Sequence, residues 1–430
     1  MKKVRRFASI TVLLTLVMLS ACGKLTEEEM YIKKTKEVKA TEPTENAFDL
    51  TIMTYNCLTT SKQPITAENP DTGLDRGEML IDYLETYMPD SIGLQEITKD
   101  WREYIESNIV GKQLKNGAVY EMSGLVSDDG LELISGSKEY APILYRADRY
   151  EKVKEGGQWY SDTPNVKSKY GPMKDKRGMT CEGMKFERVY DYTVLKNKET
   201  GDTYIHVNTH PDHKSGEAVN EKCMEQLAEY LKGLRDDHKC AVISTGDYNI
   251  VEQYDAYRIM ADSANGFTNA KYLTDDHSAT SSFLGYGKEY TERKDYVIDH
   301  VFVSAGNVGT YKHEVLEDKW FSDHAGVLVK LRINSKACIT GMSVNGENIK
   351  DFASDKFYYE AETSAATPTF AVKAPKEMVV TVNGEFIKAK GETSGTYVKT
   401  DKSKKKKYYF VVTDEDGSEK AYCIYLKINL

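Results

Sequence analysis

The sequence predicts an α/β protein: a four-layer α/β sandwich, in which two packed sheets are flanked by helices, followed by a smaller all-β sandwich domain. Strand-like and helical segments alternate irregularly from residue 48 to residue 333, which favours sheets covered by helices. Acidic, amide and imidazole side chains gather where the strand-like segments end. From residue 337 onward, short alternating segments lie between Asn-Gly and Asp-Gly turns, without a helical pattern. We therefore predict a main domain over residues 47–334 and a second domain over residues 335–430.

The first 46 residues are predicted to lie outside the fold. Residues 1–21 have a positively charged start and an apolar run too short for a permanent membrane-spanning helix, which is typical of an export signal. The run ends in Leu-Ser-Ala-Cys-Gly, which resembles a bacterial lipobox and implies a lipid on Cys22; an ordinary signal peptide with a chance cysteine is the alternative. Residues 22–46 are rich in Lys, Glu and Thr, as in a flexible tether. We expect a lipid-anchored protein outside the cytoplasmic membrane.

The net charge and the cysteine pattern argue against several classes of binding protein and site. A net charge of −9 over 430 residues argues against a protein that grips long nucleic acid through a basic surface. None of the seven cysteines is arranged as Cys-x-x-Cys, which argues against a zinc ribbon or a thioredoxin-like site. Export would permit a disulfide between Cys338 and Cys423, and free buried thiols are the alternative.

The strands and helices of the main domain follow from hydrophobic periodicity. Strands are predicted at residues 49–56, 90–96, 139–145, 187–196, 203–209, 241–244, 295–304 and 326–333. Helices are predicted at residues 76–87, 101–109 and about 217–234. The polar stretch 197–202 between two strands has the composition of a hairpin turn.

One stretch, residues 241–249, indicates chemistry most directly. A buried strand breaks at Gly246 and presents Asp247 and Asn249, which alternate with Tyr248 and therefore point to one side of the chain. A carboxylate beside an amide suits work on a phosphate, because the carboxylate can bind a divalent metal or take a proton from water while the amide orients that water. An Asp-Tyr-Asn turn without function is the alternative.

Further polar residues end other strands, and together these motifs resemble the endonuclease/exonuclease/phosphatase superfamily of metal-dependent phosphoester hydrolases. The resemblance covers about residues 48–333, with all motifs in the family's order. The motifs are Asn56, Pro89-Asp90 with Leu94-Gln95-Glu96, Glu139 with Tyr145-Arg146, Asn208-Thr209-His210, Gly246-Asp247-Tyr248-Asn249, Ile298-Asp299-His300 and Ser322-Asp323-His324.

The resemblance implies a metal site. Glu96 would be the principal ligand, Asn56 would hold the metal site or the phosphate, and Asp323 matches a further ligand position. Mg²⁺ is the expected ion, with Mn²⁺ as a substitute, because both accept hard oxygen ligands.

The resemblance also implies catalytic roles. Asp247 would activate the attacking water, and Asn249 would hold that water or the phosphate. His324 would contact the phosphate with its ring fixed by Asp299. His210, with Glu139 as its carboxylate partner, would assist the leaving oxygen, so that two imidazolium groups stabilise the transition state. A loop arginine, Arg177, is a further candidate for phosphate binding.

One residue departs from the pattern of a branch of the family and so indicates to which branch the chain is similar. Abasic-site endonucleases carry an acidic residue where this chain has Leu58, so the pattern is closer to the deoxyribonuclease-like or general phosphodiesterase branches. The C-terminal segment 341–346, Phe352 and the segment 421–424 resemble the cadherin-like or immunoglobulin-like modules of bacterial surface proteins. That resemblance implies contact with carbohydrate or cell wall, or mere spacing.

The sequence therefore predicts a monomeric phosphodiester hydrolase, nuclease-like, acting on nucleic acid or on a small phosphodiester. A phosphomonoesterase or phospholipid-head-group hydrolase on the same scaffold is the first alternative, since fold does not choose among these substrates. An inactive surface binding module is the alternative from another class. Substrate choice is expected in the loops at residues 111–136 and 165–180.

Overall fold

The computed structural model describes residues 46–262, 265–285, 296–317, 321–383, 385–386, 395–402 and 405–429. The predicted export signal, Cys22 and tether lie outside these residues. Within them, no helix is both long enough and apolar enough to cross a membrane.

Two sheets and their helices form the N-terminal region, residues 46–334. Its strands are β1 Phe48–Asn56, β2 Ser91–Gln95, β3 Tyr120–Ser123, β4 Ile143–Arg146, β5 Tyr150–Trp159, β6 Met173–Lys174, β7 Thr180–Cys181, β8 Val189–Asn197, β9 Thr203–Thr209, β10 Ala241–Asp247, β11 Phe267–Asn269, β12 Asp299–Ser304, β13 Val308–Leu316 and β14 Gly326–Ile333. Its helices are α1 Arg76–Tyr87, α2 Lys99–Asn108, α3 Glu217–His238, α4 Asp255–Ala261 and the 3₁₀ helix Ala270–Leu273.

Twelve of these strands form two facing sheets with the orders β3-β4-β2-β1-β14-β13 and β5-β8-β9-β10-β12-β11, and β6 pairs with β7 in a separate two-stranded sheet. Residues of β1 show how the layers arise: Leu50 and Ile52 pack between the sheets, whereas Met53 and Tyr55 pack against the first pair of helices. This alternation follows from the two-residue period of a strand. A third cluster lies between the second sheet and α3 and α4. The prediction of a four-layer α/β sandwich is confirmed.

Local chemistry fixes several of these elements. Asp75 caps α1, since its carboxylate accepts from the Glu78 amide at 2.8 Å while the Glu78 side chain accepts from the Asp75 amide. Such a capping box satisfies amides that the first helical turn leaves unpaired. The buried Arg76 donates to the carbonyls of Phe321, at 2.9 Å, and Leu58, at 2.6 Å. These bonds tie together two loops beside the polar end of the sandwich.

Six strands of this region were not predicted from the sequence, and β5 and β13 are the longest of them. Strand β5 reads YEKVKEGGQW, and its charged residues and paired glycines hide the alternation of a strand. Gly157 is required there, because a Cβ at this position would lie 2.4 Å from the carbonyl oxygen of Tyr190 in the neighbouring strand. A glycine inside a strand can mark such a close approach of two backbones.

The C-terminal region, residues 335–429, is rich in strands. Its strands are β15 Gly341–Val344, β16 Glu347–Asn348, β17 Tyr358–Thr363, β18 Thr369–Lys373, β19 Val379–Val382, β20 Glu385–Phe386, β21 Thr396–Thr400, β22 Lys407–Thr413 and β23 Glu419–Ile428. They form one sheet in the order β16-β15-β18-β21, and they also extend the first N-terminal sheet through β23-β22-β19-β20, with β17 paired to β23. The resemblance to cadherin-like modules stays a prediction.

The two regions are joined by backbone, charge and apolar contacts. Thr310 of β13 pairs with Glu419 of β23, and the buried Lys420 donates to the carbonyls of Gly306, at 2.6 Å, and Ser335, at 3.2 Å. One hydrophobic cluster runs from the space between the two N-terminal sheets into the C-terminal region. All six cysteines within the described residues are free, so Cys338 and Cys423 form no bridge.

Candidate active site

Side chains from several strand ends meet at one end of the sandwich. They are Asn56 at the end of β1, Glu96 after β2, His210 after β9, Asp247 at the end of β10, Asp299 at the start of β12 and His324 before β14. All are buried except Glu96, which is half-buried. Because parallel neighbours such as β9 and β10 end at the same edge, sequence-distant polar groups share one cleft.

Asp247 lies at the centre of this cluster. Its Oδ2 atom accepts from Asn56 Nδ2 at 3.0 Å and lies 3.5 Å from His210 Nε2 and 3.6 Å from His324 Nε2. Burial raises the pKa of the Asp247 carboxyl above its ordinary value, and the nearby His324 opposes that shift. A carboxylate with a raised pKa is a better proton acceptor near neutral pH than an ordinary aspartate.

The Asp299–His324 pair is as the sequence predicted. His324 Nδ1 donates to Asp299 Oδ2 at 2.8 Å. Burial by itself lowers the pKa of His324, but the carboxylates of Asp299 and Asp247 outweigh it and raise that pKa above its ordinary value. His324 is therefore an imidazolium held between two carboxylates.

The predicted pairing of His210 with Glu139 is wrong. Within the part of the chain that the structure describes, an arginine lies between the two: Arg188 Nη1 donates to Glu139 Oε2 at 3.0 Å and lies 3.2 Å from His210 Nδ1. A guanidinium has no acceptor, so Nδ1 of His210 accepts and the ring is neutral with its proton on Nε2. Burial first, and then the positive charge of Arg188, lower the pKa of His210 well below its ordinary value.

The predicted metal ligands lie beside the cluster. Glu96 accepts from Asn56 Nδ2 at 3.2 Å and from the Thr59 amide at 2.7 Å. The Oδ1 atom of Asn56 accepts from the Leu58 amide at 3.0 Å, so the nitrogen of Asn56, not its oxygen, faces the carboxylates. Asn56 therefore orients the carboxylates or a phosphate, and direct ligation through its oxygen is not what this geometry provides.

The donor set fits a divalent cation with hard ligands. Burial raises the pKa of Asp323, the positive charge of His324 opposes that shift, and the negative charge of Glu96 adds to it. A cation would relieve the repulsion between the two carboxylates. Asp247, Asp299 and His324 also bring ligand atoms within 4.8 Å of one another. Because His324 is protonated on both nitrogens, that second group serves proton transfer better than ligation.

Asn249 completes the predicted pair with Asp247. Its backbone amide donates to Asp247 Oδ1 at 2.9 Å, and its side chain donates to the carbonyl of Pro211 at 3.1 Å. The residue has a φ of 52°, a left-handed conformation that asparagine tolerates better than most residues. The turn therefore holds the Asn249 amide next to the loop that carries His210.

A polar network behind the cluster fixes the strands that carry it. Asn208 donates to the carbonyls of Leu94 and Ala141, at 2.8 Å each, and accepts from Gln95 Nε2 at 2.7 Å. These bonds join β9 of one sheet to β2 of the other. Gly93 makes room for them, since a Cβ there would lie 2.4 Å from Asn208 Oδ1.

Arg177, the predicted phosphate-binding arginine, is not in the cluster. It lies in the loop between β6 and β7 with three quarters of its side chain exposed, and it bonds to Asp175 at 2.9 Å. Arg188 supplies the positive charge instead and was missed. The turn at residues 197–202 sets the β8–β9 register, which pairs Tyr190 with Thr209 and so brings Arg188 near His210. The β8–β9 register was therefore the signal in the sequence that could have identified Arg188.

The sequence model of the Endonuclease/Exonuclease/phosphatase family matches residues 53–324, a span that contains the whole cluster. The chain belongs to this family. It is therefore a phosphoester hydrolase, and members of the family typically depend on a divalent metal. No curated protein sequence matches the chain.

One solved structure shares the fold over part of this chain, and two others show a lower similarity. A mannosyl-6-phosphatase from Bacteroides thetaiotaomicron has a TM-score of 0.51 and 24% identity, over 66% of this chain and 99% of that one. An endonuclease/exonuclease/phosphatase family protein of the same species has a TM-score of 0.49 and 23% identity, over 67% and 100%. TDP2 from D. rerio, complexed with a single-strand DNA product, has a TM-score of 0.43 and 16% identity, over 66% of this chain and 98% of that one. The likeness to the mannosyl-6-phosphatase concerns the fold alone.

Proposed function

We propose that the protein hydrolyses phosphodiesters with the help of Mg²⁺. The observation that carries this proposal is the proton array at Asp247, whose Oδ2 atom faces a protonated His324 and a neutral His210 at 3.6 and 3.5 Å. An in-line attack on phosphorus needs a base for water and positive charge for the developing oxyanion. This array supplies both within one cleft.

The residues divide the work. Asp247 accepts the proton of the attacking water, and Asn249, fixed to Asp247 through its backbone, holds that water or a phosphate oxygen. The imidazolium of His324 stabilises the charge that builds on the phosphate, and Asp299 keeps that ring oriented and protonated. The neutral ring of His210 can donate a hydrogen bond from Nε2 to the leaving oxygen, and Arg188 fixes this tautomer through Nδ1.

Glu96 and Asp323 would hold the metal, with Asn56 steadying Glu96. When bound, the metal supplies Lewis-acid polarisation of the phosphate and an orienting charge. Mg²⁺ suits this site because the two carboxylates leave positions for water and for the oxygens of the substrate.

The decisive assay compares two substrates side by side, plasmid DNA and bis-p-nitrophenyl phosphate, in Mg²⁺ with and without EDTA. We expect hydrolysis that EDTA abolishes and that the Asp247→Ala variant, purified in the same way, lacks. Nicking of DNA supports the nuclease-like branch, whereas cleavage of the small diester alone moves the substrate toward small or lipid phosphodiesters. If neither diester is cut while phosphomonoesters are, the phosphodiesterase proposal is wrong.

We also propose that the enzyme is attached to the outer face of the cytoplasmic membrane through a lipid on Cys22, as a monomer with its C-terminal region facing cell wall or carbohydrate. The lipobox-like residues before Gly23 support the attachment. Incorporation of labelled palmitate into the full-length chain tests it. The Cys22→Ala variant should lose the label, and a label that persists would refute the anchor.

A further inference from the structure

A short segment, residues 281–285, contacts both parts of the chain that carry the Asp299–His324 pair. The segment has no charged side chain, and nothing in the proposed mechanism uses it. One of its neighbours is the start of β12, which carries Asp299, and the other is the loop at residues 322–325, which carries His324. The 281–285 segment therefore lies where it can set the position of one catalytic side chain relative to the other.

Ser282 makes the contacts with the start of β12. Its hydroxyl oxygen accepts from the backbone amide of Ile298 at 3.1 Å and from that of Asp299 at 3.0 Å. Strand β11 pairs with β12 only at residues 302–304, so it does not support this end of the strand. Because Ser282 is fully buried, removal of its hydroxyl would take this partner from two buried amides.

The same segment is bonded to the loop that carries His324. The Ser282 carbonyl accepts from the Ala325 amide at 2.8 Å. The amides of residues 284–285 both donate to the Asp323 carbonyl, at 2.7 and 2.9 Å. Ser282 thus bonds to β12 through its side chain and to the loop through its backbone.

Phe283, the next residue, packs against the ring of His324. The two residues form an isolated backbone bridge, and their ring centroids lie 4.9 Å apart with 69° between the planes. Such an edge-to-face contact is favourable for aromatic rings. The His324 ring therefore has Asp299 at Nδ1, Asp247 facing Nε2 and Phe283 against the ring itself.

We propose that Ser282 is a positioning residue for the reaction: its hydroxyl holds Asp299 in line with His324, so that the 2.8 Å bond between the two side chains is kept. The inference rests on the proposed function, because Ser282 acts through a pair that belongs to that mechanism. Catalysis is sensitive to such placement, since a shift of about 1 Å in a positioned group can cost about 10²-fold in rate.

The first test removes the hydroxyl and keeps the backbone contacts. With bis-p-nitrophenyl phosphate in Mg²⁺, Ser282→Ala should lower kcat about tenfold and change KM by less than about twofold, because the hydroxyl does not touch the substrate. Ser282→Cys keeps a weak acceptor of similar shape and should lower kcat about threefold. It carries the same comparisons if the alanine variant does not fold.

Coupling to His324 separates positioning from a loss of folded protein. In a His324→Gln background, Ser282→Ala should lower the residual kcat by less than about twofold, since the residue that it positions is absent and groups that act as a unit do not add. A variant that merely lowers the folded fraction would lower kcat by the same factor in both backgrounds. That result would overturn the proposal.

Ser304, at the other end of β12, gives the matched control. It is also buried, and its hydroxyl oxygen accepts from the Val242 amide at 2.8 Å. Ser304→Ala should lower the urea midpoint about as much as Ser282→Ala but leave kcat unchanged. If the two alanine variants lose kcat equally, the assignment of Ser282 is wrong.

A measurement without turnover keeps this inference distinct from the proposed function. The Nδ1 proton of His324 lies in a charge-assisted hydrogen bond, and we expect its NMR resonance far downfield in the wild type and in Ser304→Ala. The resonance should move upfield in Ser282→Ala, and an unchanged resonance would overturn the positioning role even if the diester is hydrolysed. Absence of all hydrolysis, with a resonance that responds to Ser282→Ala, would instead refute the proposed function.

Discussion

The two histidines of the active site have opposite neighbours. His324 donates to the carboxylate of Asp299 at 2.8 Å, and His210 accepts from the guanidinium of Arg188 at 3.2 Å. Both rings are buried and both face Asp247. Nevertheless, the carboxylates raise the pKa of His324 against the effect of burial, whereas burial and Arg188 together lower the pKa of His210.

The difference teaches that residue type and position at a strand end do not set the charge of a histidine. The charge is set by the residue that contacts Nδ1 of the ring, which is Asp299 for His324 and Arg188 for His210. A site with one imidazolium and one neutral imidazole has a fixed direction for proton movement, because only His324 carries a proton in excess at neutral pH. The two sides of Asp247 are therefore not interchangeable.

The largest expected effect comes from removing the charged side. His324→Gln should lower kcat about 10³-fold, because it removes the positive charge aimed at the transition state. Asp299→Ala should cost nearly as much, and the double variant little more, since the pair acts as a unit. Steady-state kinetics on bis-p-nitrophenyl phosphate measures this, and a loss below tenfold would contradict the role of the pair.

Changes beside the neutral His210 should lower activity less than changes beside His324. Arg188→Met/Glu139→Gln removes both members of the buried ion pair, so that neither is left as a lone buried charge. We expect kcat/KM to fall by about 10–100-fold, in the lower part of the range for positioned acid–base groups. In an NMR titration, the pKa of His210 should rise but stay below its ordinary value, because burial, the larger cause of the shift, remains. If His210 of the wild-type protein already titrates near pH 6.5, the contrast between the two histidines is wrong.

The pH profile provides a finer test on the charged side. Activity that needs the His324 imidazolium falls as pH rises through its pKa. Asp299→Asn removes one carboxylate that raises this pKa, so the alkaline limb should move to lower pH, by about 1–3 units. Measurement of kcat/KM against pH, with an NMR titration of His324, checks the direction. A limb that does not move would show that another group controls it.

The smallest effect on activity is expected at a buried carboxylate that has no partner. Among the described residues, neither oxygen of Asp191 has a hydrogen-bond partner, and burial raises its pKa well above the ordinary value. Asp191→Asn should leave kcat/KM within about twofold. It should make the protein more stable than wild type as pH rises above 4, by up to about 1.4 kcal/mol per pH unit.

The sign follows from proton binding. The unfolded chain releases the Asp191 proton near pH 4 while the folded chain retains it, so wild-type stability falls with rising pH and asparagine removes that dependence. Urea unfolding at pH 4 and pH 7 measures the difference. An equal effect at both values would show that Asp191 has a cationic partner comparable to that of Asp299.

The sequence was sufficient for features that depend on local order. The strand at residues 203–209 and the helix at 76–87 were predicted with their observed bounds, because each has a clean periodicity and a turn or cap at its end. Asp247 ends a strand, Asp299 begins one and His324 lies two residues before one, so the family's motif order was enough to bring them together.

The parts that were missed depend on contacts between distant strands. Arg188 immediately precedes β8, and its role is visible only once the β8–β9 register places it near His210 and Glu139. Arg177 was favoured because it lies in a loop, yet Asp175 in the same loop holds it. Substrate choice is expected in the loops at residues 111–136 and 165–180, and this stays a prediction.

The pairing of Thr310 with Glu419 has a consequence for solubility. Strand β13 is the last strand of its sheet within the N-terminal region, and its outer edge is covered by Glu419 at one point and by the Asp276 carbonyl, which accepts from His313 at 2.9 Å, at another. A chain ending at residue 334 would keep the second cover and lose the first. Since an uncovered strand edge recruits other strands, we expect a chain ending at residue 334 to aggregate more readily than the full chain.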